Sequence, residues 1–198
     1  MYRAIIKPSL DCIWCLITLP FILPVILIIS LLIAIFDGRP IFFIQQRPGR
    51  NEELFYLIKF RTMNTSSRKH AVSDITRLGR ILRETSLDEL PSIINILKGD
   101  MSFIGPRPLL VEYLDRYSDD QKVRHQVRPG LTGLAQINGR NSITWKKRLG
   151  YDKFYIENIS IWLDIKIFFR TILIVINRKG INADKSKIMT EFINKHER

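Results

Sequence analysis

Between Cys12 and Phe36 the chain carries 25 residues without a charged side chain, and Pro20 and Pro24 interrupt that run four positions apart. Such a stretch predicts a membrane element. As one helix it would reach about 37 Å, enough to cross a hydrocarbon core of about 30 Å. The prolines argue against a plain span, because each removes a backbone hydrogen bond and crowds the preceding turn, at about 3 kcal/mol in a helix interior. A helix broken near Pro24 leaves a second arm of only about 20 Å, too short to span. Arg3 and Lys7 precede the run and Arg39, Arg47 and Arg50 follow it, a distribution that keeps both ends on the cytoplasmic side. The expectation is a re-entrant helix-break-helix over residues 1–37, with a proline-kinked span as the alternative. A cleavable signal peptide fits less well, since the run is too long and lacks a small-x-small cleavage site.

The 46% apolar content excludes a disordered chain, and 198 residues suit one domain with a real core. A formal charge of +12 favours anionic partners. With a membrane segment present, anionic membrane lipids and a phosphorylated ligand are the economical choice over nucleic acid, because each juxtamembrane cation gains about 1 kcal/mol near an anionic leaflet. Cys12 and Cys15 stand at helical spacing inside the apolar run with no second pair, so they read as small apolar fillers. His70, His125 and His196 are scattered and form no metal motif.

Beyond residue 37 the pattern is α+β, mainly α. Ile41–Gln46 and Glu53–Arg61 read as two strands of a hairpin joined across Arg47-Pro48-Gly49-Arg50-Asn51. The period of two puts Phe55, Leu57, Lys59 and Arg61 on one face. A polar loop over 64–74 precedes a basic helix from Ile75 to Arg83. Ile159–Ile176 is apolar but broken by Asp164, Lys166 and Arg170, and Asp164, Thr171 and Arg178 share a helical face. That predicts an amphipathic helix lying on the membrane or packing on the core. The domain expectation is therefore a membrane element, a catalytic domain over 38–183 at the membrane face, and a polar tail over 184–198.

The chemistry concentrates between Ser86 and Pro108. Asp88 and Glu89 are adjacent carboxylates at the start of a helix that Gly99 should end. The plain reading is a Ser86-x-x-Glu89 capping box. The functional reading is that an ionised carboxylate is a nucleophile needing no base. Gly99–Pro108 is too rich in glycine and proline for a regular element, and it presents Arg107 between two prolines that fix the backbone on either side. Arg128–Asn141 repeats the glycine-rich theme and carries Arg140. Both loops suit close approach to phosphates, and structural turns explain the glycines equally well.

Taken in order, Lys59-Phe60-Arg61-Thr62-Met63, Ser86-Leu87-Asp88-Glu89-Leu90, Leu97–Phe103, Gly105-Pro106-Arg107-Pro108 and Arg128–Gly133 resemble the motifs of the small monotopic phosphoglycosyl transferases of bacteria, the bacterial sugar transferase family. Pro108–Leu114 and Gly139-Arg140-Asn141 are similar to the subgroup that transfers diacetylbacillosamine phosphate in protein glycosylation. The resemblance implies transfer of a sugar-1-phosphate from a UDP-sugar to undecaprenyl phosphate with release of UMP, the first membrane step of glycoconjugate assembly at the cytoplasmic face of the inner membrane. It implies Asp88 as the nucleophile that carries the phosphosugar, Glu89 as its companion, and Mg2+ at Asp88 and Glu89. Lys59, Arg61, Arg107 and, more weakly, Arg140 are the implied phosphate binders. It also implies a membrane bend at Pro20, Leu23 and Pro24, although Leu23 stands where the family often has a serine. The chain is read as the small form, without a multi-span N-terminal domain. Rival readings are a membrane-anchored basic scaffold for anionic lipid or nucleic acid, and a one-step transferase acting through a ternary complex.

Overall fold

The computed structural model describes residues 1–64, 74–139, 142–177 and 192. The fold is mostly helical with two small sheets. After a π-helical turn at Tyr2–Ile6, helix α1 runs from Lys7 to Phe36 as one element, through both prolines. The break expected at Pro20, Leu23 and Pro24 is absent, and the placement of these residues explains why. Lys7, Asp11, Cys15, Ile26, Ile29 and Ile33 are buried, with Leu19 and Ile22 packed beside them, so one stripe along the helix lies against the protein. Pro20, Leu23 and Pro24 are on the outward side, where a helix wrapping a core already lengthens its hydrogen bonds. Most of the remaining surface of α1 is exposed and apolar, including Phe21, Leu27, Ile28 and Leu31.

Both ends of α1 are tied to the same domain. At its start, Lys7 Nζ donates to Asp164 Oδ2 at 2.7 Å and Tyr2 Oη donates to the same oxygen at 2.6 Å. At its end, Arg61 donates to the carbonyls of Asp37 (2.6 Å), Gly38 (2.7 Å) and Pro40 (2.6 Å). Thr76 Oγ1 donates to the Asp37 carboxylate and also caps helix α2, Arg77–Thr85, by accepting from Gly79 N.

The expected hairpin is present. Strands β1 (Phe42–Pro48) and β2 (Leu54–Phe60) pair antiparallel with Phe43 opposite Lys59 and Gln45 opposite Leu57. A 3-10 turn, Leu87–Ser92, follows α2 and leads directly into α3, Ile93–Lys98. The free edge of β2 is met by side chains rather than by a strand. Buried Asn95 accepts from Ile58 N at 3.1 Å and donates to Tyr56 O at 2.8 Å, and Ser92 Oγ donates to Ile58 O at 2.8 Å. These bonds satisfy backbone groups that burial would otherwise leave unpaired, and they fix the turn beside the end of β2.

The two glycine-rich segments are more regular than their composition suggests. Strand β3 (Ser102–Ile104) pairs in parallel with β4 (Gly130–Thr132), Ser102 opposite Gly130 and Ile104 opposite Thr132. Here the glycines serve backbone packing, because a Cβ on Gly130 would stand 2.1 Å from Gly105 N. Short helices α4 (Asp119–Lys122) and α5 (Leu134–Ile137) precede and follow β4 in the chain, and α6 (Trp145–Glu157) and α7 (Ile161–Ile176) come after them.

Helix α7 turns Asp164, Ile167 and Thr171 inward and leaves Lys166 and Arg170 exposed. Asp164 is buried among Lys7, Tyr2 and Tyr155, whose hydroxyl donates to it at 2.7 Å, and Thr171 Oγ1 lies 2.8 Å from Thr132 Oγ1. Trp162, Phe168, Phe169, Leu173 and Ile176 face out. The third residue of that expected face, Arg178, lies outside the described residues, as do the polar loop over 65–73 and nearly all of the C-terminal tail.

Candidate active site

A cleft of about 740 Å3 opens among β1, β2, the 87–92 turn, α5, α6 and α7, with Asp88 and Glu89 on its wall. The turn reaches this place through Ser86, which ends α2 in the left-handed region at φ 58°. A non-glycine residue there carries roughly 1–2 kcal/mol of backbone strain, which the surrounding packing holds. The expected capping box is not formed. No side chain caps the turn at Ser86, and the Glu89 carboxylate is spent elsewhere.

Glu89 Oε1 receives Lys59 Nζ at 2.6 Å and Arg107 Nη2 at 2.6 Å. Burial favours the neutral carboxyl, but Arg107 and Lys59 together outweigh it and hold Glu89 well below the usual carboxylate range. The Asp88 carboxylate makes no hydrogen bond or ion pair with the side chain of another described residue. Burial, reinforced by the charge of Glu89, pushes its pKa above the ordinary aspartate value, and Lys59, Arg107 and Arg83 pull the other way. The pair is thus divided in function. Glu89 is a fixed anion, and Asp88 is an open carboxylate in a cationic setting.

Arg107 is aimed by its backbone. Gly105 N and Gly130 N bond across the β3–β4 pair to Thr132 O and Pro106 O, each at 2.9 Å. Arg124 Nη2 then donates to the Arg107 carbonyl at 2.7 Å. Arg124 is itself buried, paired to Asp152 at 3.0 Å and donating to Tyr117 Oη at 2.7 Å. Lys59, Arg107, Asp88 and Glu89 are therefore brought together on one wall of the cleft.

Arg61 does not join them. Its guanidinium donates to the carbonyls that close α1, so it is a structural clamp and lines no part of the cleft. The period of two predicts a shared strand face for Lys59 and Arg61, yet the strand ends at Phe60 and the Arg61 side chain reaches the carbonyls at the end of α1. Arg140 lies outside the described residues. Arg47, Arg83, Arg124, Gln136, Arg148 and Asp152 also line the cleft, and no sequence motif marks them. Arg47 stood in the hairpin loop of a basic chain, and the others sat on helices or loops without a motif. Only the fold distinguishes them from solvated polar residues.

Residues 2–178 match the model of the family described as bacterial sugar transferase. The chain belongs to the bacterial sugar transferase family. It is 48% identical over 149 residues to the uncharacterized sugar transferase EpsL of Bacillus subtilis, covering 73% of this chain and 74% of that protein. It is 39% identical over 166 residues to the undecaprenyl-phosphate galactose phosphotransferase of Salmonella typhimurium, covering 73% of this chain but 35% of that protein. It is 38% identical over 194 residues to the UDP-glucose:undecaprenyl-phosphate glucose-1-phosphate transferase of Xanthomonas campestris, covering 90% of this chain and 40% of that protein. The chain thus spans well under half the length of the last two bacterial sugar transferases.

Among the described residues, no three acidic, histidine or cysteine side chains converge as a preformed metal site. The open carboxylate of Asp88 beside Glu89 suits a different mode, in which a magnesium ion takes one or two carboxylates and completes its shell with substrate phosphates and water.

Proposed function

We propose that this chain transfers a sugar-1-phosphate from a UDP-sugar to undecaprenyl phosphate, releasing UMP, by way of a phosphosugar carried on Asp88. The observation that carries the reading is the division of the acidic pair: Glu89 is neutralised by Lys59 and Arg107, whereas Asp88 is open beside the same cations. The names of the related proteins support the lipid acceptor and a hexose-phosphate donor.

In the first step a carboxylate oxygen of Asp88 attacks the sugar-bearing phosphorus. The bond from that phosphorus to the bridging oxygen breaks, and UMP leaves with the electron pair. In the second step a phosphate oxygen of the lipid attacks the same phosphorus and frees the Asp88 carboxylate. Lys59 and Arg107 offset the repulsion between an anionic nucleophile and an anionic diphosphate. Glu89 keeps those two cations in place. Magnesium held by Asp88, Glu89 and the donor's phosphates would add further charge neutralisation.

The reading of membrane placement rests on α1 and α7. Both ends of α1 are fastened to one domain, which supports a helix lying in one leaflet with both ends on the cytoplasmic face of the inner membrane. The outward apolar side of α7 rests at the same interface. The donor sugar is read as diacetylbacillosamine or another N-acetylated sugar, on the similarity of Pro108–Leu114 and Gly139-Arg140-Asn141 to that subgroup.

The deciding experiment is UMP release from a panel of UDP-sugars with undecaprenyl phosphate and magnesium, with mass spectrometry of quenched turnover. A phosphosugar adduct on residue 88 supports the reading. UMP release that continues while residue 88 is never modified selects the one-step ternary mechanism instead.

A further inference from the structure

Gln136, on α5, has both amide atoms shut off from water and neither has a hydrogen-bond partner. A buried donor or acceptor left unmet costs about 1–3 kcal/mol, and this side chain leaves one of each. The residue lines the same cleft as Asp88. Its oxygen is packed over Gly133, where a Cβ would come within 2.8 Å of it. A turn about its side-chain torsions, the last of which is broad, presents the amide to the cleft.

The charges beside it indicate which part of a ligand arrives there. Arg107 pairs with Glu89 next to the nucleophile. Arg47 and Arg148 line the same cleft, and burial, with the charge of Arg107 added, pushes both guanidinium groups down to about 10. Cations therefore run from Asp88 to the wall formed by α5 and α6, the path of a diphosphate, and Gln136 stands on that wall.

We propose that Gln136 selects the base of the nucleotide donor, its carboxamide pairing with the adjacent N–H and carbonyl on the imide edge of uracil. This inference rests on the reading of the donor as a UDP-sugar. A ring holds that donor and acceptor side by side, which is what one carboxamide can meet with two hydrogen bonds. The acetamido group of a sugar is a trans amide, whose N–H and C=O point in opposite directions, and it cannot engage both atoms.

The test is calorimetric titration of the full chain in detergent with UMP and with 3-methyl-UMP, which lacks the imide N–H. Wild type should bind 3-methyl-UMP about tenfold more weakly than UMP. Gln136→Met and Gln136→Ala should each lose about tenfold toward UMP and no longer distinguish the two nucleotides, with the melting temperature of the Met variant unchanged or raised. Equal binding of both nucleotides by wild type overturns the proposal. Discrimination retained by the variants overturns it, because the base is then read elsewhere. A loss seen with an intact UDP-sugar but not with UMP assigns Gln136 to the sugar and overturns it, and so does misfolding of both variants, which makes the residue structural. Absence of UMP release by wild type from every UDP-sugar is the separate result that defeats the donor reading itself.

Discussion

Lys59 Nζ lies 2.6 Å from Glu89 Oε1, across 30 positions of sequence, and joins the end of β2 to the turn that carries Asp88. Arg107 closes on the same oxygen from the β3 side. One carboxylate therefore organises two cations, and its neighbour is left free for chemistry.

Removing Lys59 as Lys59→Met should leave Glu89 and Arg107 as a two-member pair. Breaking such a partly buried ion pair costs about 2 kcal/mol, read as a lower midpoint in chemical denaturation. Glu89 ionises below the usual carboxylate range in the folded chain. Its contribution is present above the ordinary carboxylate pKa and is lost as pH falls through the depressed folded value. With Lys59 gone that loss should begin at higher pH, and acid denaturation should start earlier than in wild type.

Asp88→Asn should reduce UMP release by at least about a thousandfold and leave no adduct. The variant should be as stable as wild type or more so near neutral pH. Asp88 has a raised pKa, so its stability contribution is full at acid pH and is lost as pH rises through the folded value. The stability difference between the two proteins should shrink on acidification. In wild type, kcat/KM should fall on the acid side at a pH above the ordinary aspartate range, because the nucleophile must be ionised.

Arg61→Ala should separate folding from substrate binding. The guanidinium holds three carbonyls at the end of α1, so the variant should lose about 3 kcal/mol of stability. Its KM for the UDP-sugar should stay within about twofold of wild type. A large rise in KM at unchanged stability would restore Arg61 as a phosphate binder.

Asp164→Asn weakens the buried group formed with Lys7, Tyr2 and Tyr155. Leaving the Lys7 ammonium without its counter-charge should cost about 3–5 kcal/mol, visible as a lower melting temperature. In membrane vesicles, a tag at the N-terminus should be labelled from the same side as residue 38 in wild type. Labelling from opposite sides would defeat the one-leaflet placement of α1.

Trp162→Glu combined with Phe169→Glu places charge on the exposed apolar side of α7. Flotation with liposomes should show weaker membrane association than wild type. UMP release from soluble donor should persist, since neither residue lines the cleft.

Much of this protein was legible in one dimension. The apolar run, the hairpin at Phe42–Phe60, the acidic pair, the helix end at Gly99 and the amphipathic α7 all follow from local rules of periodicity, turn chemistry and charge. The sequence alone also determined that Lys59, Asp88, Glu89 and Arg107 are candidates, since each stands in a motif.

Tertiary structure decided the rest, because those outcomes depend on what lies opposite a residue. The prolines of α1 stay within a continuous helix because they face away from the packed stripe. Two glycine-rich loops became paired strands because each presents backbone to the other. Alternation along the strand assigns Lys59 and Arg61 the same face, yet β2 ends before Arg61, and one meets a carboxylate and the other three carbonyls. The unmatched amide of Gln136 exists only once α5 is seated in the cleft wall. Local pattern assigns a residue its element and its face, and long-range packing assigns it a partner.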